Sequence, residues 1–264
     1  MALASPSWLG NRTALIGHTG FVGSHLSRQF PFSHVYNSKN IHEMCGERFD
    51  TIVCAGVPAV KWWANRNPEA DWANIVTLLE SVERAKATRF VLISTVDVYP
   101  EPRGVTEATG LTPGANHAYG RHRLAVEHAI NAQFQKKHIL RLPGVFGQGL
   151  KKNVIFDLLN DNGLDAINPD SVFQYYSLER LGDDLTRVVL ADLPLVNLCS
   201  EGVPTSEFAE RFFPQKKLGA AALPAVTYDV HTQFADVWGR EGNYQFTKDT
   251  VFEDLARYIV SQTK

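Results

Sequence analysis

Tyr119 and Arg123 stand four residues apart in His117-Ala-Tyr-Gly-Arg-His-Arg123, so on a helix they share one face a single turn apart. A phenol has a reference pKa near 10 and exchanges protons poorly at neutral pH unless a nearby cation favours its ionised form. Arg123 is such a cation, although the same spacing also occurs as a plain contact on a helix surface. Upstream, Ile93-Ser-Thr-Val-Asp-Val-Tyr99 carries a second hydroxyl, Thr95, at the end of an apolar strand. There it either faces a ligand or caps a turn.

A third feature supplies an anion site. Thr13-Ala-Leu-Ile-Gly17-His-Thr-Gly20-Phe-Val-Gly23-Ser24 reads as a buried strand turning into a helix over three glycines. Gly17 can leave the strand at angles that a side chain forbids, Gly20 admits a pyrophosphate to the main chain, and Gly23 lets the helix pack on the sheet. The helix start then aims unpaired N–H groups at the phosphate. The spacing is GxxGxxG, which also arises as a simple strand-to-helix corner. Beyond the second strand, Asn37-Ser38-Lys39 offers no carboxylate to repel a 2′-phosphate and one cation to attract it, which points to NADP, with NAD as the alternative. Lys39 as a merely solvated lysine stays open.

These residues need a sheet to hold them. Short β-branched or apolar runs predict strands over Ala14–Gly17, His34–Asn37, Thr51–Ala55, Phe90–Ser94, Ile139–Leu142 and Val196–Cys199. Helical patterns fall between them at Val22–Phe30, Pro68–Ala85, Gly120–Phe134 and Asp183–Ala191. The alternation predicts an α/β fold, a doubly wound parallel sheet of Rossmann type with ligands at the carboxyl ends of its strands. Too few residues separate the second strand from Thr51 for a usual helix, so that crossover should be trimmed. Residues 1–144 read as a dinucleotide-binding domain whose last strand returns near 196–199. Residues 145–264 read mainly as a small substrate lobe and a carboxyl-terminal helix, with Val251, Phe252, Leu255, Tyr258 and Ile259 on one face and Thr247 as cap.

Composition narrows the class. A formal charge of −2 gives no basic field for tracking nucleic acid. No apolar run reaches the roughly 20 residues that cross a bilayer, and Met1–Arg12 does not read as a signal peptide, so the expected compartment is the cytoplasm. Three scattered cysteines, Cys45, Cys54 and Cys199, suggest neither disulfides nor zinc, and the histidines show no ligand spacing, so no metal is expected. Trp62 and Trp63 could wall a pocket or cover the sheet, and either His117 or His122 could shuttle a proton beside Tyr119, although one exposed histidine is the ordinary expectation.

Taken together, the glycine turn, Asn74, Thr95 before Val98-Tyr99, Thr106-Glu107, Pro113, Tyr119-Gly120, Leu124, Glu127 and Arg141-Leu-Pro-Gly-Val-Phe-Gly147 resemble an extended short-chain dehydrogenase/reductase of the NAD-dependent epimerase/dehydratase group. The resemblance covers roughly residues 12 to 155 well. It implies that Gly17, Thr19, Gly20, Phe21, Val22, Gly23, Asn37, Ser38, Lys39, Ala55, Gly56, Tyr119, Arg123 and Pro143 contact the dinucleotide. Thr95 would polarise the substrate oxygen, Tyr119 would be the acid/base, and Asn74 would be a supporting polar group. Thr95, Asp97, Lys151, Lys152 and Asn153 would meet the substrate, the two lysines reading also as a solvated basic turn.

Three departures qualify that picture. Arg123 stands where the family has lysine, and a planar fork does not replace a compact ammonium at a site with two partners. Val96 replaces the first acid of the pair that dehydratases carry after the threonine, which disfavours 4,6-dehydration. Gly144 and Phe173-Gln-Tyr-Tyr lack the asparagine and arginine that often grip a sugar nucleotide. The resulting expectation is an NAD(P)-dependent oxidoreductase or epimerase that moves hydride at a hydroxyl/keto centre of a small polar substrate, a sugar or nucleotide sugar among the candidates. Its alternative is a dinucleotide-binding sensor of the same fold with little or no turnover. The resemblance also implies a homodimer through Pro68–Ala85 and Gly120–Phe134.

Overall fold

All four residues of Thr13–Ile16 are buried, as befits a strand covered on both faces, and this strand, β1, lies within a six-stranded parallel sheet. The computed structural model describes residues 6–112 and 114–262; residues 1–5 and Pro113, singled out above, lie outside the described residues. The other strands are β2 (His34–Tyr36), β3 (Arg48–Cys54), β4 (Lys86–Thr95), β5 (Lys137–Leu142) and β6 (Leu195–Asn197). Their order across the sheet is β6-β5-β4-β3-β1-β2. Each expected strand is present, and β3 and β4 begin earlier than the apolar pattern suggested. Their first residues alternate between exposed and partly or fully buried before the run goes fully buried, so the amino ends read as edge rather than core.

Helices α1 (Phe21–Gln29), α2 (Lys61–Arg66), α3 (Pro68–Glu83), α4 (Ala118–Gln133), α5 (Val154–Asn160), α6 (Leu181–Leu190), α7 (Thr205–Phe212) and α8 (Lys248–Gln262) follow in chain order. The crossover from β2 to β3 holds only a single 3₁₀ turn, Ile41–Met44, as the short spacing required. Because the chain goes from β1 outward to β2 and then returns to β3 on the other side of β1, strand order reverses between β1 and β3. In such sheets ligands bind at that reversal, beyond the carboxyl ends. Ile16, Ile52, Cys54, Ile75, Phe90, Leu92, Val126 and Ile130 are among the buried residues that pack α3 and α4 on the sheet. Cys54 is one of these strand residues, its thiol pushed up to about 11 by burial.

The chain divides into two compact units. One comprises residues up to Pro100 with Thr109–Arg141 and Arg180–Val196; the other comprises Glu101–Ala108, Leu142–Glu179 and Asn197 onward. In the second, Gly144–Phe146 pairs in parallel with Tyr175–Ser177, and Asp229–Val230 with Arg103–Val105. Glu107 braces this unit by accepting from the Asn197 and Gln233 N–H groups and the Thr232 hydroxyl. Helix α8 buries Val251, Phe252, Asp254, Leu255 and Tyr258, and Thr247 Oγ1 accepts from the Thr250 N–H at 3.2 Å as its cap. Ile259 is only half-buried. Among the described residues, no helix is long and apolar enough to cross a membrane.

Candidate active site

The glycine turn is built as a cradle, and Gly17 and Gly23 are each required by a close backbone approach. Gly17 has φ +87°, and a Cβ there would stand 2.5 Å from the Gly56 Cα, so the loops after β1 and β3 touch through backbone alone. A Cβ on Gly23 would come within 2.0 Å of the Gly17 carbonyl oxygen. Gly20 is the N-cap of α1, supplies no side-chain cap, and is followed by a first turn without an acidic residue. The N–H groups there remain directed at the loop, in the field of the helix dipole. Thr19 and Gly20 are exposed at its mouth, with Phe21 and Val22 half-buried behind them. The Gly17 N–H and a His18 ring nitrogen both bond the Tyr36 carbonyl, which ties the turn to the end of β2.

Next to it, Asn37–Asn40 forms a closed turn. The Asn37 side-chain oxygen accepts from the Lys39 N–H at 2.9 Å, and Asn40 accepts from the Asn37 N–H at 2.8 Å. Ser38 and Lys39 are left on the exposed side of it.

Thr95, Tyr119 and Arg123 meet in the same unit. Thr95 caps the 3₁₀ turn Val96–Val98 by accepting from the Asp97 N–H at 3.1 Å, and its hydroxyl also bonds the Tyr119 phenol. The approach depends on Gly120: a Cβ there would lie 2.3 Å from the Asp97 carbonyl and 2.2 Å from Asn116 Nδ2. Asn116 is itself fixed, donating to the Asp97 and Val98 carbonyls at 2.8 and 3.0 Å. Further holds come from the Asn65 side chain, which accepts from the Tyr119 N–H, and from His117, whose ring caps α4 by accepting from the Gly120 N–H. Burial pushes the Tyr119 phenol above its ordinary range, and Asp97 adds to this, against the opposing pull of Arg123, the Thr95 hydroxyl and Lys61. The phenol is therefore protonated at neutral pH.

Arg123 is buried, its guanidinium carbon 4.1 Å from the Tyr119 ring centroid. It donates to both oxygens of the buried Asp71 carboxylate, at 2.5 and 3.2 Å, and to the Pro58 carbonyl in the loop after β3. Its Nε is buried and has no hydrogen-bond partner among the described residues. An unbroken chain of contacts thus leads from Gly17 to the Gly56 loop, on through Pro58 to Arg123, and so to Tyr119 and Thr95.

The remaining expected positions have other partners and surroundings. Asn74 lies on the exposed face of α3, whose buried stripe runs through Asp71, Ile75 and Leu78; Asp71 is the polar residue turned toward α4. Asp97 pairs with Lys61 at 2.7 Å. Trp62 is exposed, and His122 lies 2.7 Å from Asp71. Pro143, Lys151, Lys152 and Asn153 belong to the second unit, where Asn153 (φ +106°) caps α5 by accepting from the Ile155 and Phe156 N–H groups. Asp71 and Lys61 were not singled out from sequence. A carboxylate in register with Ile75 and Leu78 is a readable sign of a buried cation partner, whereas Lys61 carries no such sign.

A glycine turn at the reversal of a doubly wound parallel sheet, with a hydroxyl at the end of β4 and a phenol beside it on α4, places the chain in the Rossmann-type α/β class. The model of the NAD dependent epimerase/dehydratase family matches residues 33–167, just over half of the chain, which belongs to that family. No curated protein matches it. Among solved structures it is similar to a dTDP-4-dehydrorhamnose reductase from Clostridium acetobutylicum, with 14% identity, 96% of this chain and 100% of that one covered, and a TM-score of 0.73. It is also similar to the UDP-glucose 4-epimerase of Thermotoga maritima with UDP-glucose (14% identity, 95% and 98% covered, TM-score 0.70). A third is MoeE5 in complex with UDP-glucuronic acid and NAD (20% identity, 95% and 98% covered, TM-score 0.70). At these identities the likeness is one of fold.

Proposed function

We propose that the chain is a nicotinamide-dependent oxidoreductase or epimerase that moves hydride at a hydroxyl/keto centre of a small polar substrate of the nucleotide-sugar class. The observation that carries the reading is the joined arrangement of glycine cradle, Thr95 hydroxyl and protonated Tyr119 phenol within one unit. The residues fit a dinucleotide: the cradle has no room for a Cβ at Gly17 or Gly23, and the orphaned Arg123 Nε is a buried donor in need of an acceptor such as a ribose hydroxyl. Gly17, Gly20 and the first turn of α1 would hold the pyrophosphate, Ser38 and Lys39 the adenosine end, and Arg123 the nicotinamide ribose. When bound, that group supplies or accepts the hydride.

The remaining steps belong to this chain's own side chains. Thr95 would orient the substrate oxygen. Tyr119 would pass its O–H proton to that oxygen as the carbonyl is reduced, and would take a proton back in the opposite direction. The exposed Ser38 and Lys39, with no carboxylate in their turn, support NADP over NAD. A second reading, a dinucleotide-binding sensor, draws on Arg123, whose two terminal nitrogens are already engaged by Asp71 and Pro58.

Fluorescence titration with NADPH and NADH tests the first step, with Gly23→Ala as the control that closes the cradle. Binding of the wild type and not of the variant is expected, tighter for NADPH. Indifference of the wild type to both coenzymes at millimolar concentration refutes the reading. With nucleotide sugars as substrates, Tyr119→Phe should bind coenzyme but lose turnover, whereas a sensor has no turnover to lose.

A further inference from the structure

Burying a guanidinium without a counter-charge costs several kcal/mol, so the position of Arg123 has to be secured by something in the fold. Asp71 is 0% exposed, on the inner face of α3, and both of its oxygens are bonded by Arg123. A fork held at both tines lies in one orientation, and that orientation sets the guanidinium carbon 4.1 Å from the Tyr119 ring centroid. The carboxylate is held in turn: His122 Nδ1 lies 2.7 Å from Oδ2. Burial pushes the Asp71 carboxyl up, but the hydrogen bonds from Arg123 and His122 outweigh it and keep the group below its usual range.

We propose that Asp71 is the positioning residue for the acid/base Tyr119, acting by clamping Arg123 against the phenol's ring. This rests on the proposed role of Tyr119 and deepens it. The charged groups that act on the phenol are Arg123, Asp97 and Lys61, with Asp71 and His122 acting on it through Arg123. Clamped by Asp71, the guanidinium is held against the phenol's ring with its charge shared by a carboxylate, which weakens its downward pull on the phenol. The phenol keeps its proton to high pH and is therefore in the protonated form that reduction of a carbonyl requires. A lysine at this position, with a single mobile ammonium, could not be fixed in this way.

The test is a spectrophotometric titration of the phenol in the coenzyme-free full chain, using Tyr119→Phe as the reference for the other tyrosines. Asp71→Asn releases the guanidinium while conserving the shape, and the Tyr119 midpoint should fall by about one pH unit. In an Arg123→Met background the same replacement should shift the midpoint less than half as far. An unchanged midpoint in folded Asp71→Asn, or an equal shift without Arg123, overturns the proposal. If Asp71→Asn does not fold, Asp71→Glu keeps the charge but moves the carboxylate by one methylene; the midpoint should still move, and constancy overturns the proposal. Because no coenzyme or substrate is present, failure here is separable from failure of the functional reading, which the coenzyme titration decides.

Discussion

Replacing Gly120 by alanine sets two opposed effects against each other at one atom. In a helix, alanine for glycine gains up to about 1 kcal/mol of propensity, so on local grounds the variant should be more stable. The added Cβ, however, would lie 2.3 Å from the Asp97 carbonyl oxygen and 2.2 Å from Asn116 Nδ2. Both fall short of ordinary contact by roughly 1 Å. The carbonyl is backbone, and Asn116 is pinned by bonds to the Asp97 and Val98 carbonyls and by accepting from the His117 N–H, so neither yields readily. Overpacking of this kind costs about 1–3 kcal/mol, and its larger part outweighs the propensity gain. The expected net effect is a loss of about 1 to 2 kcal/mol in urea unfolding. Relief comes by moving the start of α4 away from the Val96–Val98 turn, which draws Tyr119 from Thr95. A displacement of about 1 Å at a reacting group costs on the order of 100-fold in rate. Coenzyme affinity should change little, since the cradle is untouched. A Gly120→Ala protein that is stabilised, with the Tyr119 titration midpoint of the wild type, would refute the claim that this glycine sets the distance between phenol and hydroxyl.

Two further outcomes follow from buried charge. Glu127 and Arg141 form a two-pronged pair at 3.0 and 2.6 Å, each side chain 4% exposed, and Arg141 also donates to the Tyr99 hydroxyl at 2.7 Å. Glu127→Gln leaves that arginine uncompensated and should cost about 3–5 kcal/mol by urea unfolding, while the apolar double replacement Glu127→Leu with Arg141→Met should recover most of it; a loss under 1 kcal/mol in the single variant would contradict this. Burial pulls His138 below its ordinary pKa, with Arg89 reinforcing it. The unfolded chain then binds the proton more readily, so stability from this group is complete above pH 6.5 and declines as pH falls toward the lower folded-state value, at no more than about 1.4 kcal/mol per pH unit. Unfolding midpoints at pH 7.5 and 5.5 should show a smaller difference in His138→Gln, and an equal difference would exclude His138 as the source.

What the sequence determined by itself was the part of the protein that local rules govern. Buried β-branched runs separated by helical stripes pointed to a covered parallel sheet, and three glycines at the first strand–helix corner pointed to the close backbone approach that Gly17 and Gly23 make. The short link between the second and third strands likewise excluded a helix on length alone. Even Thr247 as a cap and most of the buried face of α8 were legible, because capping and periodicity act within one element.

The tertiary structure alone decided who partners Arg123. Sequence placed a cation beside a phenol and assigned Asn74 as the polar support, but a helix's buried face is set by what packs on it, and that face presents Asp71. Lys61 with Asp97 and Asn116 against the Val96–Val98 turn are long-range or loop pairings that no spacing announces. The physical reason is common to all of them: hydrogen bonds and ion pairs reward proximity in space, and only the completed packing of the sheet and helices brings those residues within reach.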